Sequence, residues 1–199
     1  MNGVRMAPAR APLATLVARL AGRVTRTEPQ RVFTTLARNR RLFRRWLPFA
    51  GGLLRGDLPR ADTELLILRT AWNCAGWYVW VQHAGLAPAR GLAPALVGAV
   101  PAWPDRPVWT PRQHDLLDAA DQLHRDHVIA DLTWARLAGE RSDAELVELC
   151  LLVGHYEMLC LTTNSLGIEP EPAALAALTA PATAAAAALR ARLVSARRP

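Results

Sequence analysis

Glu64 and His83 are the residues whose types and spacing could do acid–base chemistry. On a helix, Glu64 shares its stripe with Leu68 and Ala71, and His83 shares its stripe with Val79, Trp80, Leu86 and Ala87. All these neighbours are apolar, so both polar groups should point with a core face. Burial of such groups is costly unless they are paired or used. They stand nineteen residues apart across a break at residues 73–76, so two antiparallel helices could bring them together. A carboxylate–imidazole couple held that way can move protons. Taken alone, the couple reads first as a structural hydrogen bond tying two helices.

The residues around the couple have two readings each. Arg69 lies off the Glu64 face. It could pair with an acid such as Glu148 or grip a substrate carboxylate through its planar fork. Trp72, Trp77, Tyr78 and Trp80 could wall a pocket for a flat organic ligand, or be ordinary core or interface aromatics. Cys74 could be a lone reactive thiol, or a small residue lining the break. Asp121, His124 and His127 recur at i, i+3 and i+6 and drift around a helix, so one metal ion would need ligands from elsewhere. A solvated helix end with histidines near its C-terminal dipole is the expectation there, and no metal site is assigned. No Ser–His–Asp order, phosphate loop or dinucleotide fingerprint stands out.

The elements that must position these groups read as helices throughout. Spacing predicts helices at 13–24, 29–38 and 42–54, the last with a kink or a new turn at Pro48. Asp62 or Thr63 should cap the helix that carries Glu64, which runs to Asn73. The helix that carries His83 should follow from Trp77 to Pro88. A short helix should end at Val100, and the four prolines within 101–111 mark a loop. Thr110 should cap a helix over 111–126 with Pro at its first position. A helical stretch at 132–137 follows. Ser142-Asp-Ala-Glu145 is a capping box that opens a long helix closed by Gly167. Residues 1–12 read as a disordered tail. The Ala-rich 173–197 segment reads as a helix whose weak apolar face leaves it poorly packed or mobile. No segment alternates like a strand, so the fold class is all-α.

Composition narrows the function classes. About half of the 199 residues (51%) are hydrophobic, enough to bury one sizeable core. The formal charge is +7, and every cation is Arg, because the chain holds no Lys. Arg clusters at 38–45 and at the C-terminus while the middle is nearly balanced, so a solvated or interface-forming face is expected and nucleic-acid binding is not. Three Cys without a Cys-x-x-Cys argue against a secreted disulfide scaffold. The N-terminus lacks an apolar stretch, because Arg5, Arg10 and Arg19 interrupt it, and no run of about 18 uncharged apolar residues exists. A cytoplasmic location with no membrane contact is therefore expected.

The ordered pattern Glu64…Arg69-x-Ala71-Trp72…Tyr78-x-Trp80-x-Gln82-His83, then Gly91-Leu92, resembles the carboxymuconolactone decarboxylase family, whose superfamily includes alkylhydroperoxidase D-like proteins. A second stretch is similar as well: Glu148-Leu149…Val153-Gly154-x-Tyr156-x-Met158-Leu159…Asn164-Ser165-Leu166-Gly167, then Glu169-Pro170. Arg41-Leu42-Phe43 through Trp46 supplies a third. Together they cover about residues 30 to 170. The resemblance implies an alkylhydroperoxidase D-like helical bundle that forms homo-oligomers, trimers or hexamers, with sites near subunit contacts. It divides the chain into a tail with a short helix (1–28), the family domain (29–170) and a C-terminal helix or tail (171–199).

Position by position, Glu64 and His83 match the family's proton-relay pair. The Cys-x-x-Cys of peroxidase-type members falls on Gly76 and Val79, so a dithiol cycle at those positions has no sulfur. Relatives without those cysteines often carry acids where Trp77 and Val79 stand, and Gly-Gln-Tyr-His where this chain reads Gly154-His155-Tyr156-Glu157. A more apolar, bulkier pocket follows, with either a shifted substrate or a pocket no longer catalytic. The implied function is decarboxylation, isomerisation or related lyase chemistry on a small carboxylated or carbonyl-bearing molecule, with no cofactor. Arg69 or Tyr78 would stabilise an oxyanion, and Trp72, Trp80 and Cys74 would complete the substrate pocket. An alkylhydroperoxidase-like oxidoreductase and a non-catalytic oligomeric binding protein are the alternatives.

Overall fold

Local capping chemistry sets the helix starts. In the computed structural model, which describes residues 5–9, 11–25, 28–106 and 108–197, the chain forms eleven α-helices and no strand among the described residues. They are α1 (Pro12–Thr25), α2 (Arg31–Leu36), α3 (Arg40–Leu53), α4 (Arg60–Asn73), α5 (Trp77–Leu86), α6 (Pro94–Ala99), α7 (Pro111–Asp126), α8 (Asp131–Glu140), α9 (Asp143–Leu166), α10 (Pro172–Ala176) and α11 (Ala180–Ala196). Thr110 and Gln113 cap each other at the start of α7, and Ser142 and Glu145 do so at α9. Gly167, in the left-handed conformation at φ 66°, closes α9.

The expected cap of α4 is corrected. That helix begins at Arg60 after Pro59, with no side-chain cap bond. Asp62 is turned inward instead, where it accepts hydrogen bonds from Arg112 (2.9 Å) and Arg141 (3.1 Å). Two guanidiniums offset the burial of its charge better than one backbone N–H would. The helix α3 also runs on through Pro48 without starting anew.

Helix α4 is the centre of the core. Leu65, Leu66, Ile67, Leu68 and Ala71 are fully buried, and α5, α7 and α9 all pack on it. This is why its sequence shows little amphipathic contrast: a helix covered on all sides is apolar nearly all round. The 24-residue α9 has the length and mean hydropathy (1.4) of a membrane span. One of its faces is core, with Leu149, Leu152, Val153 and Tyr156 buried against the neighbouring helices.

The two ends of the chain are more ordered than expected. Within 1–12, residues 1–4 and 10 lie outside the described residues, but Ala9 N–H bonds Thr34 O (2.9 Å) and Arg5 N–H bonds Leu166 O (3.2 Å). Pro107 of the Pro-rich loop also lies outside the described residues. Helix α11 is packed, not loose. Ala182, Ala185, Ala186 and Leu189 are buried on α5 and α6, and Trp80 Nε1–H donates to Ala182 O at 3.1 Å. Alanine gives little hydrophobic contrast but lets two helix backbones approach closely, which the apolar pattern alone does not reveal.

The turn between α4 and α5 fixes the hairpin on which the candidate couple sits. Ala75 takes a left-handed conformation (φ 50°), and Gly76 N–H closes on Ala71 O at 2.7 Å. The Asn164 amide on α9 donates to both Cys74 O (3.1 Å) and Ala75 O (3.2 Å). A sharp, three-residue reversal therefore lays α5 against α4.

Candidate active site

Glu64, one turn into α4, and His83, near the end of α5, meet as the antiparallel hairpin requires. His83 Nδ1 lies 2.8 Å from Glu64 Oε2. Both residues are buried, at 2% and 9% exposure. A carboxylate on Nδ1 selects the tautomer with the proton there and leaves Nε2 as the basic atom. The Tyr156 ring of α9 stands edge-on to the imidazole, with centroids 5.1 Å apart. Burial, reinforced by the Glu64 carboxylate, holds the Tyr156 phenol well above its ordinary pKa, so it stays a hydrogen-bond donor.

His83 opens onto a cavity of about 180 Å³. Its walls come from five helices: Val17 of α1, Val32 and Phe33 of α2, Trp46 and Leu47 of α3, Tyr78, Val79 and Gln82 of α5, and His155 and Tyr156 of α9. The lining is apolar apart from a few convergent polar groups, the usual build of a small-molecule site.

One polar group is His155. Its ring stacks on Trp46 (centroids 6.0 Å apart) and meets Phe49 and Tyr156 edge-on. Its Nδ1 is buried without a hydrogen-bond partner. Burial first, and the neighbouring His83 second, push its pKa down to about 4, so the ring is neutral at physiological pH. The other polar wall is a chain of amides. Gln30 donates to Gln82 Oε1 (3.0 Å), and Gln82 donates to the Glu171 carboxylate. Glu171 also accepts from Arg31 N–H (2.6 Å) and from the Tyr78 hydroxyl (3.3 Å). Burial raises the Glu171 pKa, partly countered by these hydrogen bonds.

Of the residues named from sequence, the structure brings His83 and Tyr78 to this cavity, sets Glu64 behind His83, and places the others elsewhere. The Tyr78 hydroxyl is engaged, donating to Glu171 and accepting from Val32 N–H (3.3 Å). Arg69 pairs with Asp121 through two bonds (2.6 and 2.7 Å) and with Val100 O (2.9 Å), so its partner is Asp121 and not Glu148. Glu148 instead accepts from the N–H groups of Asp57 and Leu58. Trp72 and Trp80 meet edge-on (centroids 6.1 Å apart) at the seam with α11, where the Arg192 guanidinium covers Trp72. Cys74 faces His124 and Glu157.

His155, Tyr156, Gln82 and Gln30, with Glu171 behind Gln82 and Tyr78, are the polar residues at the cavity that the reading of the chain did not assign. Gln82 and Tyr156 stand inside the two motif stretches, and His155 sits where relatives carry Gln, which was the available signal. Gln30 and Glu171 had no local signal, since their role exists only where α2 and the segment before α10 meet α5.

Comparison with known proteins bears on the helical fold. Residues 40–122, which carry Glu64, Arg69 and His83, match the sequence model of the carboxymuconolactone decarboxylase family. A search of curated proteins returned no significant match. Among solved structures, the chain is similar to an alkylhydroperoxidase AhpD core, an uncharacterized peroxidase-related protein from Ralstonia eutropha JMP134 (20% identity, TM-score 0.65, 72% of this chain and 77% of that one). It is similar to a peroxidase-related protein from Silicibacter sp. TM1040 (15%, TM-score 0.73, 84% and 90%). It also resembles an Agrobacterium tumefaciens protein of unknown function, a suggested AhpD antioxidant defence protein (17%, TM-score 0.63, 68% and 94%). The helices that hold the couple thus match the carboxymuconolactone decarboxylase family model, and over most of its length the chain shares the fold of the AhpD-like structures.

Proposed function

We propose that this protein is an acid–base enzyme acting on a small carbonyl-bearing organic molecule held in the cavity beside His83. The observation that carries this reading is the 2.8 Å Glu64–His83 bond at the wall of a largely apolar cavity. Glu64 orients the imidazole and stabilises its protonated form. In an isomerisation, His83 Nε2 takes a proton from carbon next to the carbonyl and returns it at another position; in a decarboxylation, a β-carboxylate leaves as carbon dioxide and protonated His83 delivers its proton to the enolate that remains. An enolate-like intermediate then needs a donor at its oxygen. Arg69 does not serve, because Asp121 holds it outside the cavity. The Tyr156 phenol and the Gln82 amide are the donors this reading uses. Since no Arg lines the cavity among the described residues, a neutral carbonyl or lactone, or a substrate with a single carboxylate, suits it better than a dicarboxylate.

The test is hydrogen–deuterium exchange at the α-carbon of a panel of small lactones and 1,3-dicarbonyl compounds, followed by NMR in deuterated buffer. His83→Gln should slow any exchange catalysed by the parent by a factor on the order of 10²–10⁴. Unchanged exchange in that folded variant would refute the proposal.

A second reading, an alkylhydroperoxidase-like oxidoreductase, draws on one observation: the Cys160 thiol lies close enough to Cys74 for the two to interact electrostatically. A peroxide would oxidise the two thiols to a disulfide and leave as alcohol and water. Contact with Cys74 and burial raise the Cys160 pKa, which suits a resolving thiol better than an attacking one. Stoichiometric peroxide consumption that disappears in Cys74→Ala would favour this reading over the first.

We further propose that a second copy of the chain packs on the outer face of α9. Val147, Leu151, Met158 and Leu161 are exposed there, and Gly154 has open space above it. Their 4-3-4-3 spacing is that of a helix–helix seam. Sedimentation should show an oligomer that Leu151→Glu with Leu161→Arg converts to monomer.

A further inference from the structure

Outside the cavity, three side chains with metal-binding chemistry converge from three helices. Cys74 caps the C-terminus of α4, His124 lies in the last turn of α7, and Glu157 sits in the middle of α9. His124 Nδ1 is 2.7 Å from Glu157 Oε1, and Cys74 Sγ is 3.7 Å from that nitrogen and 4.0 Å from that oxygen. All three donor atoms lie within 4.8 Å of one another. None of the three residues lines the cavity that holds His83. We propose that Cys74, His124 and Glu157 bind one zinc ion.

The donor set is one thiolate, one imidazole and one carboxylate, a mixture that suits borderline-soft Zn²⁺ and neither Mg²⁺ nor Ca²⁺. Around a tetrahedral zinc, donors stand roughly 3.3–3.6 Å apart, as bond lengths near 2.0–2.3 Å dictate. The two sulfur separations need to close by a few tenths of an ångström, and the nitrogen–oxygen pair needs to open by somewhat more. That pair is now joined by a proton on His124 Nδ1. The metal takes the proton's place, and the thiol gives up its own, so binding releases protons and weakens as pH falls. The ion pair alone, with side chains 39% and 26% exposed, contributes little to stability and does not explain why a cysteine joins it.

The surroundings suit such a site. All three residues are only partly buried, so an ion can enter and a water can fill a fourth position. The Cys74 carbonyl is fixed by the Asn164 amide, and the carbonyls of Trp72 and Asn73 accept from Arg192, so the cysteine rests on a braced backbone. The neighbouring candidates are committed elsewhere: Asp121 accepts from Arg69, Asn73 and Trp103, and His127 ends α7 with its side chain exposed. A bound ion would clip the ends of α4 and α7 to α9, next to the turn that lays His83 against Glu64.

The test uses the full chain, stripped with chelator and titrated with Co²⁺ and then Zn²⁺ under reducing conditions. One Co²⁺ per chain should bind with a near-ultraviolet sulfur-to-cobalt band and the visible spectrum of four-coordination. One Zn²⁺ should displace it and raise the melting temperature. Cys74→Ser should abolish the sulfur band and weaken Zn²⁺ by more than about 100-fold, beyond what the loss of an outer group costs. His124→Gln and Glu157→Gln should each weaken it by at least about tenfold. His127→Asn should leave it unchanged. Circular dichroism checks that each variant is folded, and the Gln variants decide the matter if Cys74→Ser is not. Zn²⁺ affinity that survives both Cys74→Ser and His124→Gln, a pale six-coordinate cobalt spectrum, or the absence of binding at micromolar Zn²⁺ would overturn the proposal.

Discussion

The sulfur of Cys160 stands where a side chain on Gly76 would begin. A β-carbon built at position 76 would overlap Cys160 Sγ, and it would lie 3.3 Å from Ala71 O. The resemblance to the family places the first thiol of its peroxidase-type members at the position of Gly76. Here the room for it is taken by another cysteine reaching over from α9, so glycine at the start of α5 and cysteine at 160 form a matched pair.

The matched pair makes a prediction about stability. Gly76→Ala should cost about 1–3 kcal/mol through overpacking. Combining it with Cys160→Ala should recover most of that loss, because the overlapping sulfur is gone. Urea denaturation of the two single variants and the double would measure the coupling. Purely additive losses would show that the overlap is relieved by backbone movement.

Glu64 should matter to folding as well as to chemistry. Glu64→Ala leaves His83 Nδ1 without its partner in a buried place and opens a void beside it. We expect a loss of about 2–4 kcal/mol. Glu64→Gln keeps the shape and an acceptor oxygen, and should cost about 1 kcal/mol while impairing proton transfer. Chemical denaturation alongside the exchange assay separates the two effects.

His155 should make the protein sensitive to mild acid. Its folded pKa of about 4 is below the ordinary value of 6.5. Between these values the unfolded chain binds a proton that the folded one refuses, so stability rises with pH across the window and falls as pH drops from about 6.5 towards 4. The full shift corresponds to about 3 kcal/mol. His155→Phe keeps an aromatic ring against Trp46 and should flatten this part of the stability–pH curve. An equally steep curve in that variant would assign the acid sensitivity to other groups.

Arg69 should act as a structural residue. Arg69→Met removes two of the bonds to Asp121 and leaves that partly buried carboxylate with Asn73 and Trp103 alone. A loss of about 3 kcal/mol is expected. Exchange per folded molecule should be unaffected, because the guanidinium lies outside the cavity. A raised KM without loss of stability would instead place Arg69 on the substrate.

Residue type and local spacing determined much of this protein. The caps at Thr110 and Ser142, the closing Gly167, the absence of strands among the described residues and the apolar faces that carry Glu64 and His83 could all be read along the chain, because each depends on neighbours within a turn or two. Only the tertiary structure decided what these faces meet. The cavity is walled by five helices, Arg69 finds Asp121 52 residues away, and Cys74 meets Glu157 at a separation of 83. The alanines of α11 look idle in sequence and become a close-packed cover for Trp80. Periodicity states that a side chain is buried, but the partner that offsets its desolvation is chosen by how distant helices pack, and that choice leaves no mark on the residues beside it.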